Sequence, residues 1–386
     1  MKKLLSLLLI ALLVLSLTVG LVSCGEKEDE IQTIDTPYKG TTLYVYNWGE
    51  NIANGEDGSL NLEKTFEKIY GINVVYTTYA SNEEMYTKIS SGTVSYDVII
   101  PSDYMIARLI EEDLVQKINY DNIPNYKNIA DQYKYNLFYD CGGKDGMTEY
   151  SAAYTVGMVG IIYNTKYVDE ADVADHSWNL LWNEKYSGKI LQFDNPRDAF
   201  GVAMYRDHLN VNSTDRADWE QAYRSILEQK PLLKGFVMDE IYEEMEGENS
   251  YIGAYYAGDC LTMLDNNENL DFFYPVEGTN VFVDAMCIPK NAKNVGAAEL
   301  WINFLLETEY AIENSLYICY ASPNKTVYES AEYREELGDD YYSILYDIPE
   351  QYKKADGTLD TTIAQYFYNQ TAEIKAVQAE LWNLVK

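Results

Sequence analysis

The chain has 386 residues, enough for two domains at roughly 100–200 residues each. Its 62 acidic residues against 29 basic ones leave a formal charge of −33, which argues against nucleic-acid binding, since that needs basic patches, and suits a cationic ligand. Two histidines far apart, five cysteines without a CxxC pair, and the absence of GxSxG, GxGxxG, Walker and HExxH motifs argue against a zinc site and the common enzyme classes.

The amino terminus has the order of an export signal: Met1-Lys2-Lys3, an apolar run over 4–22, then Leu21-Val22-Ser23-Cys24. Those last four residues resemble the bacterial lipoprotein box. The resemblance implies removal of residues 1–23, lipidation of Cys24, and anchoring at the extracytoplasmic face of the cell membrane. The competing reading is an uncleaved anchor, because the apolar run approaches the roughly 20 residues that span a bilayer. Residues 24–39 are polar, acidic and without apolar periodicity, and are expected to be a flexible tether of roughly 20 Å reach.

Strands and helices then alternate. Residues 43–47 predict a buried strand, and 60–70 an amphipathic helix stopped by Gly71. A strand over 72–79 follows, and Ser81-Asn82-Glu83-Glu84 predicts a capping box opening a helix to about 91. The continuous apolar run at 96–100, closed by Pro101, reads as a buried parallel strand. This is a βαβαβ unit. Further strands are predicted at 154–164, 189–193, 251–256, 272–276 and 285–289. Thr214 is expected to cap a helix whose buried stripe is Trp219, Ala222, Tyr223, Ile226 and Leu227. Helices are also expected over 296–306 and 370–385. The expected fold is α/β with two lobes, each with its own sheet: 40–148 plus about 285–325, and about 149–284 plus 326–386.

Cys141, Cys260, Cys287 and Cys319 lie in mostly apolar stretches and are expected to be buried free thiols, although export permits disulfides. The acidic run at 265–269 has Leu270 where a calcium loop needs glycine. No metal site and no cofactor is expected.

The chemical signal is a set of aromatic, acidic and hydroxyl residues just past predicted strand ends, where α/β sheets place their ligands. Trp48 and Glu50 follow the first strand, and Ser102, Asp103 and Tyr104 the third. The run Asp194-Asn195-Pro196-Arg197-Asp198 follows the strand at 189–193, Tyr256 ends another, Phe282 to Asp284 precede one, and Tyr320 lies near Pro323. A ring face and a carboxylate side by side suit an organic cation. The 37 tyrosines add rigid rings with polar tips, favoured where small ligands are gripped.

From about Thr41 onward the chain resembles the spermidine/putrescine-type polyamine-binding proteins of bacterial ABC importers. The likeness is carried by LYVYNWGE (43–50), YASNEEMYTKISSGTVSYDVIIPSDYM (79–105), FDNPRDAF (193–200), VDAMCIPKNAKN (283–294), WINFLL (301–306) and YASPN (320–324). It implies a type II periplasmic-binding-protein fold with the ligand cleft between the lobes, a monomer, no catalysis, and delivery to an ABC permease and its ATPase. It also implies aromatic walls from Trp48, Tyr256, Phe282 and Tyr320, ammonium acceptors at Glu50, Asp198 and Asp284, and a lining from Ser102, Tyr104 and Asn195. The sequence departs from the spermidine binders at Gly49, where threonine is frequent, and at Asn51, where an aromatic is frequent. It departs again at Asn195, an aspartate in that pattern, and at Tyr256 and Phe282, which are tryptophans. One fewer carboxylate points to a diamine, or to looser diamine/triamine selectivity. The alternatives are a binding protein for another small ligand such as a sugar, a surface hydrolase using a carboxylate pair, and a sensor without transport.

Overall fold

A computed structural model describes residues 33–56 and 58–386. The export signal and Cys24 lie outside the described residues. The chain is already tied down before residue 40: the Ile34 amide donates to the Ile69 carbonyl at 2.7 Å, the Gly40 amide to Gly71 at 2.7 Å, and the Tyr38 ring covers Gly296.

The first half is built on β1 (Thr42–Trp48), β2 (Asn73–Tyr79) and β3 (Val98–Ile99), with β1 parallel to both neighbours. Leu43, Val45 and Tyr46 of β1 are fully buried, as a strand covered on both faces requires. The helices between these strands start and stop where side-chain chemistry dictates. Asn61 Oδ1 accepts the Lys64 amide at the start of Leu62–Tyr70, and Gly71 ends it at φ 65°. Ser81 Oγ accepts the Glu84 amide at 3.2 Å, and the Glu84 carboxylate accepts the Ala80 amide, so the predicted capping box forms one residue wider than expected.

After the short β4 (Val115–Gln116) comes β5 (Ser151–Asn164), a 14-residue strand. The second half holds β6 (Ile190–Phe193), β7 (Leu233–Val237), β8 (Ile252–Tyr256) and β9 (Leu270–Phe273). Then β10 (Thr279–Pro289) runs back beside β5, fully buried along its length, and β11 (Ala364–Tyr366) pairs with its start.

The sequence predicts two separate sheets; the structure has one hydrogen-bonded order, β2-β1-β3-β10-β5-β8-β6-β7. The reason is the length of β5 and β10. Their paired ends at Ser151–Ala153 and Ala285–Cys287 belong to the first half, where Cys287 pairs with Ile99. The other end of β5 pairs with β8 and β9 in the second half. The β5–β10 register breaks between Asp284 and Ala285, at the start of the strand that the sequence predicts over 285–289.

Smaller differences follow from local chemistry. Asp215, not Thr214, caps the helix Arg216–Gln229, because its side chain accepts the Ala217 amide. The strand expected at 272–276 lies at 270–273, and β7 carries no strong sequence signal because LKGFV contains lysine and glycine. Cys260, Cys287 and Cys319 are buried free thiols, whereas Cys141 is exposed. The helix Ala331–Leu337 packs on Thr308–Ile318 through Tyr333, Val327 and Ala311, and the last helix, Ala372–Val385, packs on Arg216–Gln229 and Pro196–Arg206.

Candidate functional site

The carboxyl ends of β1, β3, β7 and β8 converge on the crossing strand β10, lining a partly open cavity between the two halves. Such a place is where an open α/β sheet leaves a crevice. One aromatic wall begins with Trp48 at the end of β1, its ring 4.7 Å from that of Tyr79 at the end of β2. The opposite wall is Tyr256, Phe282 and Tyr320, with ring centroids 5.5 Å apart for the first pair and 6.4 Å for the second. Tyr320 lies flat on Gly258, where a β-carbon would sit 2.3 Å from the ring, so the wall depends on that glycine.

The carboxylates fall into two electrostatic groups. On the floor, Asp284 is 6% exposed, accepts the Ser102 hydroxyl at 2.6 Å and the Thr155 hydroxyl at 3.2 Å. Ser102 is itself held by the Asn82 amide at 3.0 Å. Toward the mouth stand Glu50, Asp239 and Asp259. Glu50 and Asp239 are solvent-exposed and Asp259 is half-buried. Asp259 accepts the hydroxyls of Tyr320 and Tyr242, each at 2.7 Å, and Asp239 that of Tyr255 at 3.2 Å. Among the described residues none of these four acids has an ion-pair partner within 4 Å.

Burial without a counter-ion raises their affinity for protons. The carboxyl of Asp259 is pushed up to about 7, by burial first and by the Asp239 and Glu50 charges in addition. That of Asp284 rises to about 6 through burial, against the Ser102 and Thr155 hydrogen bonds. Glu50 and Asp239, although solvent-exposed, are also raised, by partial desolvation in the crevice and then, for Glu50, by the Asp239 charge. Below the floor, burial lifts Asp103 to about 8, although it accepts the Tyr104 and Val283 amides.

A carboxyl raised in the folded chain binds its proton more tightly there than in the unfolded chain, where it titrates near 4. The ligand-free protein is therefore expected to gain stability as the pH falls from 8 to 6. Melting temperatures without ligand at the two values check this; a lower one at pH 6 contradicts it.

Of the residues expected at the site, Trp48, Glu50, Ser102, Tyr256, Phe282, Asp284 and Tyr320 line the cavity. Asp198, Asn195 and Tyr104 do not. Asp198 already has a cation: Arg197 Nη2 lies 3.2 Å from its Oδ2, the Tyr256 hydroxyl donates to it at 2.7 Å, and Asn195 Nδ2 donates at 2.8 Å. Asn195 caps the helix Pro196–Arg206 by accepting the Asp198 amide. Tyr104 donates to Glu83 at 2.8 Å, and its ring lies 4.1 Å under the Arg197 guanidinium. Arg197 itself reaches the cavity, and Asp239, Asp259, Tyr79, Tyr242 and Tyr255 line it without having been singled out in the sequence. Asp239 and Asp259 lie two and three residues past the ends of β7 and β8, so the strand-end signal would have found them had β7 been recognised and β8 followed further.

Two lobes' worth of sheet joined by crossing strands, with an unpaired acidic and aromatic cavity at the join, is the build of a solute-binding protein. Residues 95–337 match the bacterial extracellular solute-binding proteins, and the chain belongs to that family. It is 33% identical over 285 residues to the spermidine/putrescine-binding periplasmic protein of Escherichia coli, covering 73% of this chain and 78% of that one. A solved Listeria monocytogenes structure assigned to a spermidine/putrescine ABC transporter is 31% identical with a TM-score of 0.76, over 89% of this chain and 98% of that one. The Tp0655 (TpPotD) lipoprotein of Treponema pallidum is 25% identical with a TM-score of 0.70, over 89% and 99%. The family is one of binding, not of catalysis.

Proposed function

We propose that this chain captures an aliphatic polyamine between its two lobes and delivers it to the permease and ATPase of an ABC importer. The observation that carries the reading is the cavity: rings on opposite walls and four carboxylates without a counter-ion, Glu50, Asp239, Asp259 and Asp284. Ammonium groups would take the place of the missing cations, and methylenes would lie between the rings, gaining about 0.8 kcal/mol each on burial. The 33% identity to a spermidine/putrescine-binding relative supports the same ligand class.

The lobes are residues 40–148 with about 285–325, and about 149–284 with 326–386. They would close as a hinge about β5 and β10, the strands that run through both halves. A diamine suits the site best. Arg197 already neutralises Asp198, Asn195 brings no charge, and the free carboxylates form two groups, one at the floor and one at the mouth. Calorimetric titration with putrescine and spermidine tests both levels of the proposal. Putrescine is expected to bind at least as tightly; spermidine binding tenfold tighter defeats the diamine preference, and binding of neither amine defeats the polyamine reading.

Residues 1–23 are a lipoprotein signal and Cys24 the lipidated residue, holding the binding lobes at the outer face of the membrane. The Cys24 context in the sequence supports this, as does the lipoprotein among the structural relatives. Cys24→Ser is expected to move the protein from the membrane fraction to the soluble one and to abolish labelling by a radioactive fatty acid. Unchanged labelling contradicts the anchor.

A further inference from the structure

The mouth of the cavity carries a carboxylate that the sequence pattern does not single out. Asp239 stands on the turn between β7 and the helix Ile241–Glu246, on the second half of the molecule. It faces Gly49 and Glu50 of the first half: a β-carbon on Gly49 would lie 2.9 Å from Asp239 Oδ2. That is closer than carbon and oxygen tolerate, so the carboxylate holds its place only because residue 49 has no side chain. The atom that would have to move is the end of a flexible side chain. A substitution at Gly49 would therefore displace the carboxylate without unfolding the chain.

We infer that Asp239 is a specificity-determining ammonium acceptor, admitted by Gly49, which selects an unsubstituted primary ammonium at the cavity mouth. The inference rests on the polyamine reading above. A primary ammonium has three N–H donors, and the mouth offers three carboxylates, Glu50, Asp239 and Asp259. All three line the same cavity, and Asp239 Oδ2 lies against Gly49, the neighbour of Glu50. Asp259 is oriented from behind by the Tyr242 and Tyr320 hydroxyls, and Asp239 by that of Tyr255. With three acceptors for three donors, each methyl on the nitrogen removes a donor and leaves one carboxylate unanswered. Once the lobes close over the bound amine and exclude water from the mouth, a group left unpaired there is what makes a polar site reject a close analogue. The floor at Asp284 has a different character, since two of its oxygens' partners are already the Ser102 and Thr155 hydroxyls.

The test is calorimetry with putrescine and with N,N′-dimethylputrescine, on the wild type, Gly49→Ala, Asp239→Ala and the double variant. Circular dichroism and melting temperature confirm folding, and Asp239→Asn serves as the shape-conserving second variant. Asp239→Ala is expected to weaken putrescine binding about 10-fold and dimethylputrescine binding less than about threefold, because the latter has no donor for the lost acceptor. Gly49→Ala is expected to reproduce the putrescine loss in the wild type, yet to change affinity less than about twofold when Asp239 is already alanine. Equal losses for both amines, or an equal cost of Gly49→Ala in both backgrounds, overturn the assignment of Asp239 while leaving the polyamine reading intact. Failure of the wild type to bind either amine overturns both.

Discussion

Asp284→Asn is expected to weaken putrescine binding by about 100-fold or more, since removing one partner of a buried, hydrogen-bonded charge pair costs about 2–5 kcal/mol. The same change is expected to leave the ligand-free protein as stable as the wild type, or slightly more so. The two expectations have one cause. Asp284 is 6% exposed and has no cation within 4 Å among the described residues, so its charge is costly until a ligand arrives, and its carboxyl holds a proton up to a pH of about 6. Asparagine removes that cost, and its carbonyl oxygen still accepts from Ser102, so the floor keeps its shape. An ammonium then loses its anion in a site where about 4 kcal/mol of attraction at 4 Å is available at an effective dielectric of 20. Titration calorimetry and a urea unfolding curve read the two effects. Affinity within threefold of wild type would remove Asp284 from the site, and a neutral, sugar-like ligand would show that pattern.

Arg197→Met is expected to have the opposite profile, a large loss of stability. The guanidinium has only 12% of its side chain exposed and lies 3.2 Å from Asp198, whose side chain is 1% exposed. It also covers the Tyr104 ring at 4.1 Å and the Phe367 ring at 5.0 Å, which belong to the first and second halves. Methionine fills the space but leaves Asp198 charged and buried with only the Tyr256 hydroxyl and the Asn195 amide. Breaking a buried pair on one side costs about 3–5 kcal/mol. The double change Arg197→Met with Asp198→Asn is expected to restore most of the loss, because no unpaired charge then remains. A urea midpoint corresponding to less than about 1 kcal/mol of destabilisation in the single variant would mean that water, not Arg197, balances Asp198.

This pairing also shows where sequence reading of the site stops. The run at 194–198 places an acid beyond a strand end, and the same pattern puts Asp284 and Glu50 there. Nothing in the one-dimensional pattern tells which acid has its own cation. Arg197 is the immediate neighbour of Asp198, yet adjacent residues on a helix ordinarily point to different sides. Its pairing depends on the Tyr104 and Phe367 rings that steer the guanidinium back. Asp239 was missed for a related reason: β7 owes its existence to pairing with β6 and not to its own residues, so the turn after it could not be recognised as a strand end.

By itself the sequence determined what depends on short-range chemistry. The cap at Ser81, the left-handed stop at Gly71, the buried runs of β1, β3 and β5, and the Trp48–Glu50 ring and acid all follow from residues within one or two turns of each other. Tertiary structure alone decided the rest: that β5 and β10 run through both halves and fuse two sheets into one, that Asp198 is neutralised while Asp284 is not, and that Asp239 and Asp259 complete the mouth. Most of those outcomes rest on contacts distant along the chain, such as Ser102 with Asp284 and Gly49 with Asp239. Charge balance and close packing are properties of neighbours in space, and the order of residues along the chain does not state them.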